Sequence, residues 1–404
     1  MKAITRRSLL GQAATASILM AGRRAFARPS VDLGLPGGPG VRPLTTDFPE
    51  KGAMILQRSR PPLLETPFEV FDQGVFTPND RFYVRWHWAV IPTDVAVDSF
   101  RLAVRGHVAT PLSLSLKDIL ALPRFEIAAV NQCSGNSRGL FQPRVPGGQW
   151  ANGAMGNALW TGVRLKDVLD RAGVKPGAVQ VRFKGLDEPV VDGAPDFMKS
   201  LSVDHARDGE VMIAFAMNGK QLPLLNGFPL RLVVPGWYAT YWVKMLSDIE
   251  VLDRPDDNFW TKSAYLVPDT PGADMKPGAT GVPLVPISKM GPRSFITNLK
   301  PGDTIQAGAP VPLRGIAFGG DAGVTRVDLS ADGGRTWRPA TLGKDEGKYG
   351  FRQWQASFTP PSAGAYSLAV RCTNSAGLVQ SDRPNWNPSG FMRNVIETVA
   401  VAAV

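Results

Sequence analysis

Residues Leu266 to Pro292 read LVPDTPGADMKPGATGVPLVPISKMGP, a run in which proline or glycine recurs every few positions and no apolar period is sustained. Proline removes a donor N–H and fixes φ, while glycine loses the most backbone entropy on folding, so neither a helix nor a central strand is expected here. The stretch reads as a connector, assigned to residues 271–292, and the chain divides around it. Ahead of it lie short strand patterns, Arg81–Trp88, Ser99–Val104, Val179–Phe183, Met212–Met217 and Leu230–Val234, separated by Gly, Pro, Asn and Asp turns. Leu116 to Leu122 and Leu165 to Ala172 carry apolar residues at helical spacing, neither exceeding three turns. Residues 71–270 are therefore expected to form a mixed α+β domain. Beyond the connector, alternation resumes in TRVDLSADGGRTW, RQWQASF and YSLAVRCTN, and residues 293–404 predict an immunoglobulin-like β-sandwich.

Composition agrees with this division. A chain of 404 residues exceeds the size at which one core usually stops growing. Hydrophobic residues at 44% and charged residues at 20% supply a core and exclude a disordered chain. The 42 glycines and 35 prolines favour a β-rich α+β class over a helical bundle.

The N-terminus has the form of an export signal: Lys2, Arg6 and Arg7, an apolar segment Leu9 to Ala21, then the small-x-small site Ala25-Phe26-Ala27. Arg6-Arg7 ahead of Ser8-Leu9-Leu10 matches the twin-arginine class, which exports proteins already folded. Residues 1–27 are thus expected to be a signal peptide and 28–70 an N-terminal extension, with the mature protein in the periplasm. The signal holds five of the 45 Lys and Arg, which leaves 40 against 35 acids, or +5 rather than +10. No basic stripe remains, so nucleic-acid binding is not expected. No segment is apolar for long enough to predict membrane insertion.

The three histidines, His87, His107 and His205, form no ligand pair, and Cys-x-x-Cys-His and P-loop patterns are missing. What remains is Val130-Asn131-Gln132-Cys133-Ser134-Gly135-Asn136-Ser137-Arg138-Gly139, a lone cysteine in a polar turn after the apolar run FEIAAV. Structural cysteines favour apolar surroundings, whereas a thiolate ligand gains from loop amides and a nearby cation such as Arg138. A disulfide to Cys372, or an inert thiol, are the other readings. Alternation in Arg81–Trp88 puts Arg85 and His87 on one face with Arg81 and Tyr83. Arg231, inside the buried-strand pattern Leu230 to Val234, needs an anionic or multi-acceptor partner.

Together these motifs resemble the sulfite oxidase family of molybdenum enzymes over nearly the whole mature chain. Arg85-x-His87, Cys133-x-Gly135-Asn136-x-Arg138, Trp150, Trp160-x-Gly162, Met217-Asn218-Gly219, Gly227-Phe228-Pro229-x-Arg231, Trp242-Val243-Lys244, Asp332-Gly333-Gly334 and Trp386-Asn387 occur in family order. With a twin-arginine signal and no haem or flavin module, the chain is most similar to bacterial periplasmic sulfite dehydrogenases.

The resemblance implies a molybdenum–molybdopterin cofactor with Cys133 on the metal, a soft ligand for it. It implies that Arg85, Arg138 and Tyr265 hold sulfite while His87 and Trp150 shape the pocket, with Tyr238 and Tyr241 as rivals to Tyr265. His87, Asp187, Asn226, Arg231, Trp242, Val243 and Lys244 would hold the pterin. Electrons would pass to a separate c-type cytochrome, and the sandwich would make a homodimer. The sequence departs from the family in three places. Ser137 leaves one arginine after Gly-Asn, Asn226 stands where animal enzymes have histidine, and Pro388-Ser389 replaces an arginine-bearing stretch. The second domain is therefore not expected to bind substrate. Two other functions fit parts of the pattern: a periplasmic methionine-sulfoxide reductase, and a non-enzymatic exported binding module in which Cys133 pairs with Cys372.

Overall fold

The stretch ahead of residue 71, expected to be an extension, is built into the first domain. A computed structural model describes residues 29–404, so the signal peptide at 1–27 lies outside the described residues. Strands β1 (Ser30–Asp32), β2 (Val41–Thr45), β3 (Met54–Arg58), β4 (Leu63–Glu65) and β5 (Val84–Arg85) form one five-stranded sheet in that order. Met54, Leu64, Val84 and Trp86 bury its inner face against Leu225 and Met245. The longer strand expected over Arg81–Trp88 is reduced to Val84–Arg85, because Asn79–Arg81 coils into a 3-10 turn and the partner strand β4 has only three residues. His87 therefore leaves the sheet, and Arg81 turns away to the carbonyl of Ala53, yet Tyr83, Arg85 and His87 still line one cavity.

Strands β6 (Leu102–Gly106), β7 (Leu112–Leu114), β8 (Arg124–Gln132), β9 (Met155–Arg164), β10 (Gln180–Lys184), β11 (Met198–Ser202), β12 (Met212–Met217), β13 (Lys220–Gln221), β14 (Arg231–Val233) and β15 (Asp248–Leu252) build two further sheets. One runs β11-β10-β15-β6-β7 and the other β13-β12-β9-β8, with β14 on β12. Helix Leu165–Ala172 forms where expected, burying Leu165, Val168, Leu169 and Ala172 on one stripe and ending at Gly173 with φ 69°, a left-handed cap that glycine adopts without strain. The β8–β9 pairing, the longest among the described residues, runs from Arg124↔Val163 to Gln132↔Met155, so the following residue, Cys133, emerges at the buried end of β8.

The connector is ordered into the core. Strands β16 (Leu266–Pro268) and β17 (Leu284–Pro286) pair antiparallel, and Val267, Ile287 and Met290 are buried with the first domain's core. Proline and glycine shape its turns, while the few apolar side chains dock it. Beyond it come β18 (Arg293–Ile296), β19 (Thr304–Ile305), β20 (Val311–Phe318), β21 (Val324–Ser330), β22 (Arg338–Pro339), β23 (Thr341–Leu342), β24 (Arg352–Phe358), β25 (Gly364–Asn374) and β26 (Thr398–Ala403). They form sheets β18-β20-β24-β23 and β19-β26-β25-β21-β22, the expected sandwich, around Leu313, Val327, Trp354, Leu368, Val370 and Cys372. Phe295, Phe318, Tyr349 and Phe351 belong instead to the first domain's core, and the Val130 amide donates to the Tyr349 carbonyl at 2.9 Å. The two domains share a packed seam beside the Cys133 loop. No helix among the described residues is long and apolar enough to cross a membrane.

Candidate active site

After β8 the chain folds into a loop whose backbone is tied to residues 150–154. The Cys133 amide donates to the Ala154 carbonyl (2.9 Å), Ser137 to Ala151 (2.7 Å) and Gly139 to Trp150 (2.9 Å). Asn136 Oδ1 accepts from the Ala154 amide at 2.9 Å, and Ser137 Oγ donates to Asn152 Oδ1 at 2.6 Å. At Gly135 a Cβ would stand 2.6 Å from Arg138 Nη2, so a bare backbone is what lets the guanidinium fold back over the loop. Ser134, Asn136 and Ser137 are buried while Cys133 keeps partial exposure. Both cysteines are free. Cys372 lies in the sandwich core with its thiol toward the Phe318 carbonyl, so the Cys133–Cys372 crosslink required by the binding-module alternative is not formed.

Cys133 opens on two adjoining cavities. The inner one is bounded by Tyr83, Asn131, Ser134, Asn226, Arg231 and Lys244; the outer by Arg58, Arg138, Trp150, Trp260 and Phe391. Arg85, His87, Cys133 and Tyr265 face both. The outer cavity, of about 250 Å³, is far larger than one water requires, roughly 10–15 Å³. No carboxylate lines either space.

In the inner cavity Arg231 Nη1 donates to the Asn226 carbonyl at 2.8 Å, and its guanidinium lies 4.8 Å from the Trp160 ring centroid. Burial lowers its pKa to about 10. Lys244 Nζ donates to the Arg85 carbonyl at 2.8 Å and sits over Trp86; burial, then the Arg231 charge, lowers its pKa to about 7. Asp187, buried behind Lys244, does not reach the cavity; burial raises its carboxyl to about 6 against the pull of Lys244. Trp242 lines the cavity, but Val243 lines neither: its side chain is in the core and its carbonyl accepts from the Leu232 amide. Expectation and structure differ there because the chain leaves the 3-10 turn Ala239–Tyr241 through Trp242 in an irregular bend that turns Val243 into the core, while Trp242 and Lys244 take the cavity side.

In the outer cavity Arg138 Nη2 donates to the Ser389 carbonyl at 3.2 Å and its guanidinium lies 5.0 Å from the Phe391 ring. Tyr265 stacks on Phe391 at 5.2 Å and 6°, and its hydroxyl meets His87 Nε2 at 2.6 Å. Burial first, then Arg85, Lys244 and Lys199, hold His87 well below the usual histidine pKa, and burial raises the Tyr265 hydroxyl, so this pair is neutral at neutral pH. Tyr238 and Tyr241 line neither cavity; Tyr241 donates to the Ile287 carbonyl. The second domain, not expected at the site, thus supplies Ser389 and Phe391. In that segment, which carries no arginine at Pro388-Ser389, an aromatic ring supports Arg138 and Tyr265.

Sequence reasoning passed over several neighbours. Lys51 is buried and donates to Asn226 Oδ1 and the carbonyls of Asn79 (2.7 Å) and Phe82 (3.0 Å), with burial lowering its pKa to about 7. Lys199, wholly buried in β11, donates to the Trp260 carbonyl at 2.9 Å and lies 5.3 Å from the Tyr265 ring. Its strand, MKSLS, has only two apolar residues and gives no local sign that the lysine is buried.

Buried Arg85 Nη1, Asn131 Nδ2, Ser134 Oγ and Arg231 Nε have no hydrogen-bond partner, an arrangement that is costly unless a polar ligand satisfies it. With guanidinium and ammonium groups around them and a free thiol at the seam, they fit a polar, phosphate-bearing group that presents a soft metal to Cys133.

Comparison with known proteins agrees. Residues 88–260 match the family model for an oxidoreductase molybdopterin binding domain, and residues 285–403 that for a Mo-co oxidoreductase dimerisation domain. The human mitochondrial sulfite oxidase is 34% identical over 381 residues, covering 89% of this chain and 67% of that protein, so the chain spans about two thirds of that relative's length. The Arabidopsis thaliana sulfite oxidase is 30% identical over 327 residues, 78% of this chain and 82% of that one. Among solved structures, the sulfane dehydrogenase SoxCD from Paracoccus pantotrophus shares the fold, with a TM-score of 0.73 over 95% of both chains at 24% identity. With its cation-lined inner cavity, its free cysteine and both domains matched, this chain belongs to the sulfite oxidase family of molybdopterin-dependent oxidoreductases.

Proposed function

We propose that this chain is a sulfite dehydrogenase: sulfite and water give sulfate, two protons and two electrons, and the electrons pass to a separate c-type cytochrome. The observation that carries this reading is the convergence of Arg85, Arg138 and the Tyr265 hydroxyl on a cavity that Cys133 faces and no carboxylate lines. Such a site attracts a small oxyanion. When bound, the molybdenum cofactor supplies the two-electron redox change and the oxygen transfer, held by Cys133 and by Asn226, Arg231, Trp242 and Lys244 around its organic part. Arg85 and Arg138 hold the anion by charge-assisted hydrogen bonds, and the aromatic walls Trp150, Trp260 and Phe391 limit water around it. His87 and Tyr265 are both neutral. With its ring proton on Nε2, His87 donates to Tyr265 Oη and leaves the tyrosine proton free for a substrate oxygen.

Export in the folded state to the periplasm is supported by Arg6-Arg7 and Ala25-Phe26-Ala27, and a homodimer through the sandwich by the dimerisation-domain match. Phe391 at the cavity and Ser389 behind Arg138, both from the second domain, favour this reading over sulfoxide reduction by relatives without a sandwich. The test is sulfite-driven reduction of cytochrome c by the molybdenum-loaded protein, with one sulfate formed for every two cytochromes reduced. Reduction with methionine sulfoxide consumption and no sulfite activity would contradict it.

A further inference from the structure

The first sheet brings an arginine to the site from a segment that neither family model covers. In β3 and β4 the register steps from Leu56↔Leu64 to Arg58↔Leu63, leaving Gln57 as the extra residue of a bulge. Gln57 is held inward, donating to Glu65 Oε2 at 2.7 Å and accepting from Arg42 Nε at 3.1 Å. In an unbroken ladder Gln57 would oppose Leu63, and Arg58 would fall on the other face of the sheet. With the bulge, Arg58 opposes Leu63, and on the far side Leu63 opposes Arg85. The three side chains share one face across adjacent strands, and all three line the outer cavity. Two strand spacings put the two arginine backbones roughly 10 Å apart, Arg85 inside and Arg58 at the rim.

Arg58 is exposed, and among the described residues its guanidinium has no hydrogen-bond or ion-pair partner. Surface arginines often pair with a neighbouring acid, but the cavity offers none. We propose that Arg58 is a third anion-binding residue of this site, an outer cation that captures the oxyanion at the cavity mouth and passes it to Arg85 and Arg138. The proposal rests on the oxyanion reading of the cavity. It makes the bulge at Gln57 a device for specificity: the extra residue aims a charge into the entrance.

The test uses the full-length, molybdenum-loaded protein and its Arg58→Gln and Arg58→Lys variants, which change an exposed side chain and leave the core untouched. Sulfate, the product oxyanion, is titrated against intrinsic tryptophan fluorescence, since Trp86, Trp150 and Trp260 line the cavity. KM for sulfite is measured in parallel. At low ionic strength Arg58→Gln is expected to weaken sulfate binding and raise KM about two- to fivefold, the range for a solvent-screened charge pair. kcat should fall less than twofold, and Arg58→Lys should recover most of the loss. The gap should close in about 1 M salt, where the Debye length is ~3 Å. Sulfate affinity equal to wild type, or a loss that salt does not diminish, overturns the role of Arg58. Wild-type protein that binds sulfate but does not oxidise sulfite contradicts the proposed reaction instead, and the sulfate titration still decides the arginine.

Discussion

Arg138 shows how one side chain is placed by two separate stretches of sequence. Its backbone belongs to the cysteine loop, Ser389 accepts from its guanidinium, and the ring of Phe391 lies beneath it, while its Nε has no partner. A guanidinium held by neutral acceptors and a ring, without a carboxylate, keeps its charge available to a ligand. Arg138→Gln is expected to lower kcat/KM for sulfite about 10- to 100-fold, the equivalent of one charge-assisted hydrogen bond of roughly 1.5–3 kcal/mol. Molybdenum content should be unchanged; steady-state kinetics beside a metal assay check both. At this scale Cys133 and Arg138 were legible in a short polar loop, and Arg85 and His87 as the polar positions of an alternating apolar stretch. Phe391, Lys51 and Lys199 were not: burial and proximity are made by packing, and the local residues carry no mark of them.

At the scale of elements, the loop at 150–154 is the hinge of the site's geometry, and a carboxylate from β4 anchors it. Glu65 accepts from the Gly153 amide at 2.9 Å, the Ala151 amide at 3.2 Å and Gln57 at 2.7 Å, and burial raises its pKa to about 7 against those hydrogen bonds. A Cβ at Gly153 would meet the Thr66 carbonyl at 2.1 Å, so the close approach demands glycine. Glu65→Gln turns an amide donor toward groups that are themselves donors. A loss of about 1–3 kcal/mol is expected, seen as a lower midpoint in thermal unfolding, and an unchanged midpoint would contradict the anchor. The helix Leu165–Ala172 and strand β12 were legible in full because their apolar periods are local. The β1–β5 sheet and the ordered connector were not, since three-residue strands and a proline-rich hairpin have too little periodicity to register and gain stability only by docking.

For the molecule as a whole, the inner cavity gathers Arg85, Arg231 and Lys244, with Lys51 bound behind it to Asn226. Lys51 and Lys244 have folded-state pKa values lowered from 10.5 to about 7, so the folded apoprotein releases protons that the unfolded chain retains. Their contribution to stability is present above about pH 10 and is lost as pH falls toward 7. A phosphate-bearing cofactor favours the charged lysines and removes that loss, so the gain in Tm on loading is expected to be larger near pH 7 than near pH 9.5. Equal gains at both would mean that the lysines do not sense the cofactor. Both domains and the N-terminal sheet converge on the cavity that Cys133 faces, and that convergence is the central claim. Its most direct measurement is molybdenum per chain, with sulfite-driven cytochrome c reduction, in wild type and Cys133→Ser. One molybdenum per wild-type chain is expected, with both metal and activity lost in a folded variant; a variant that keeps metal and activity would contradict the account.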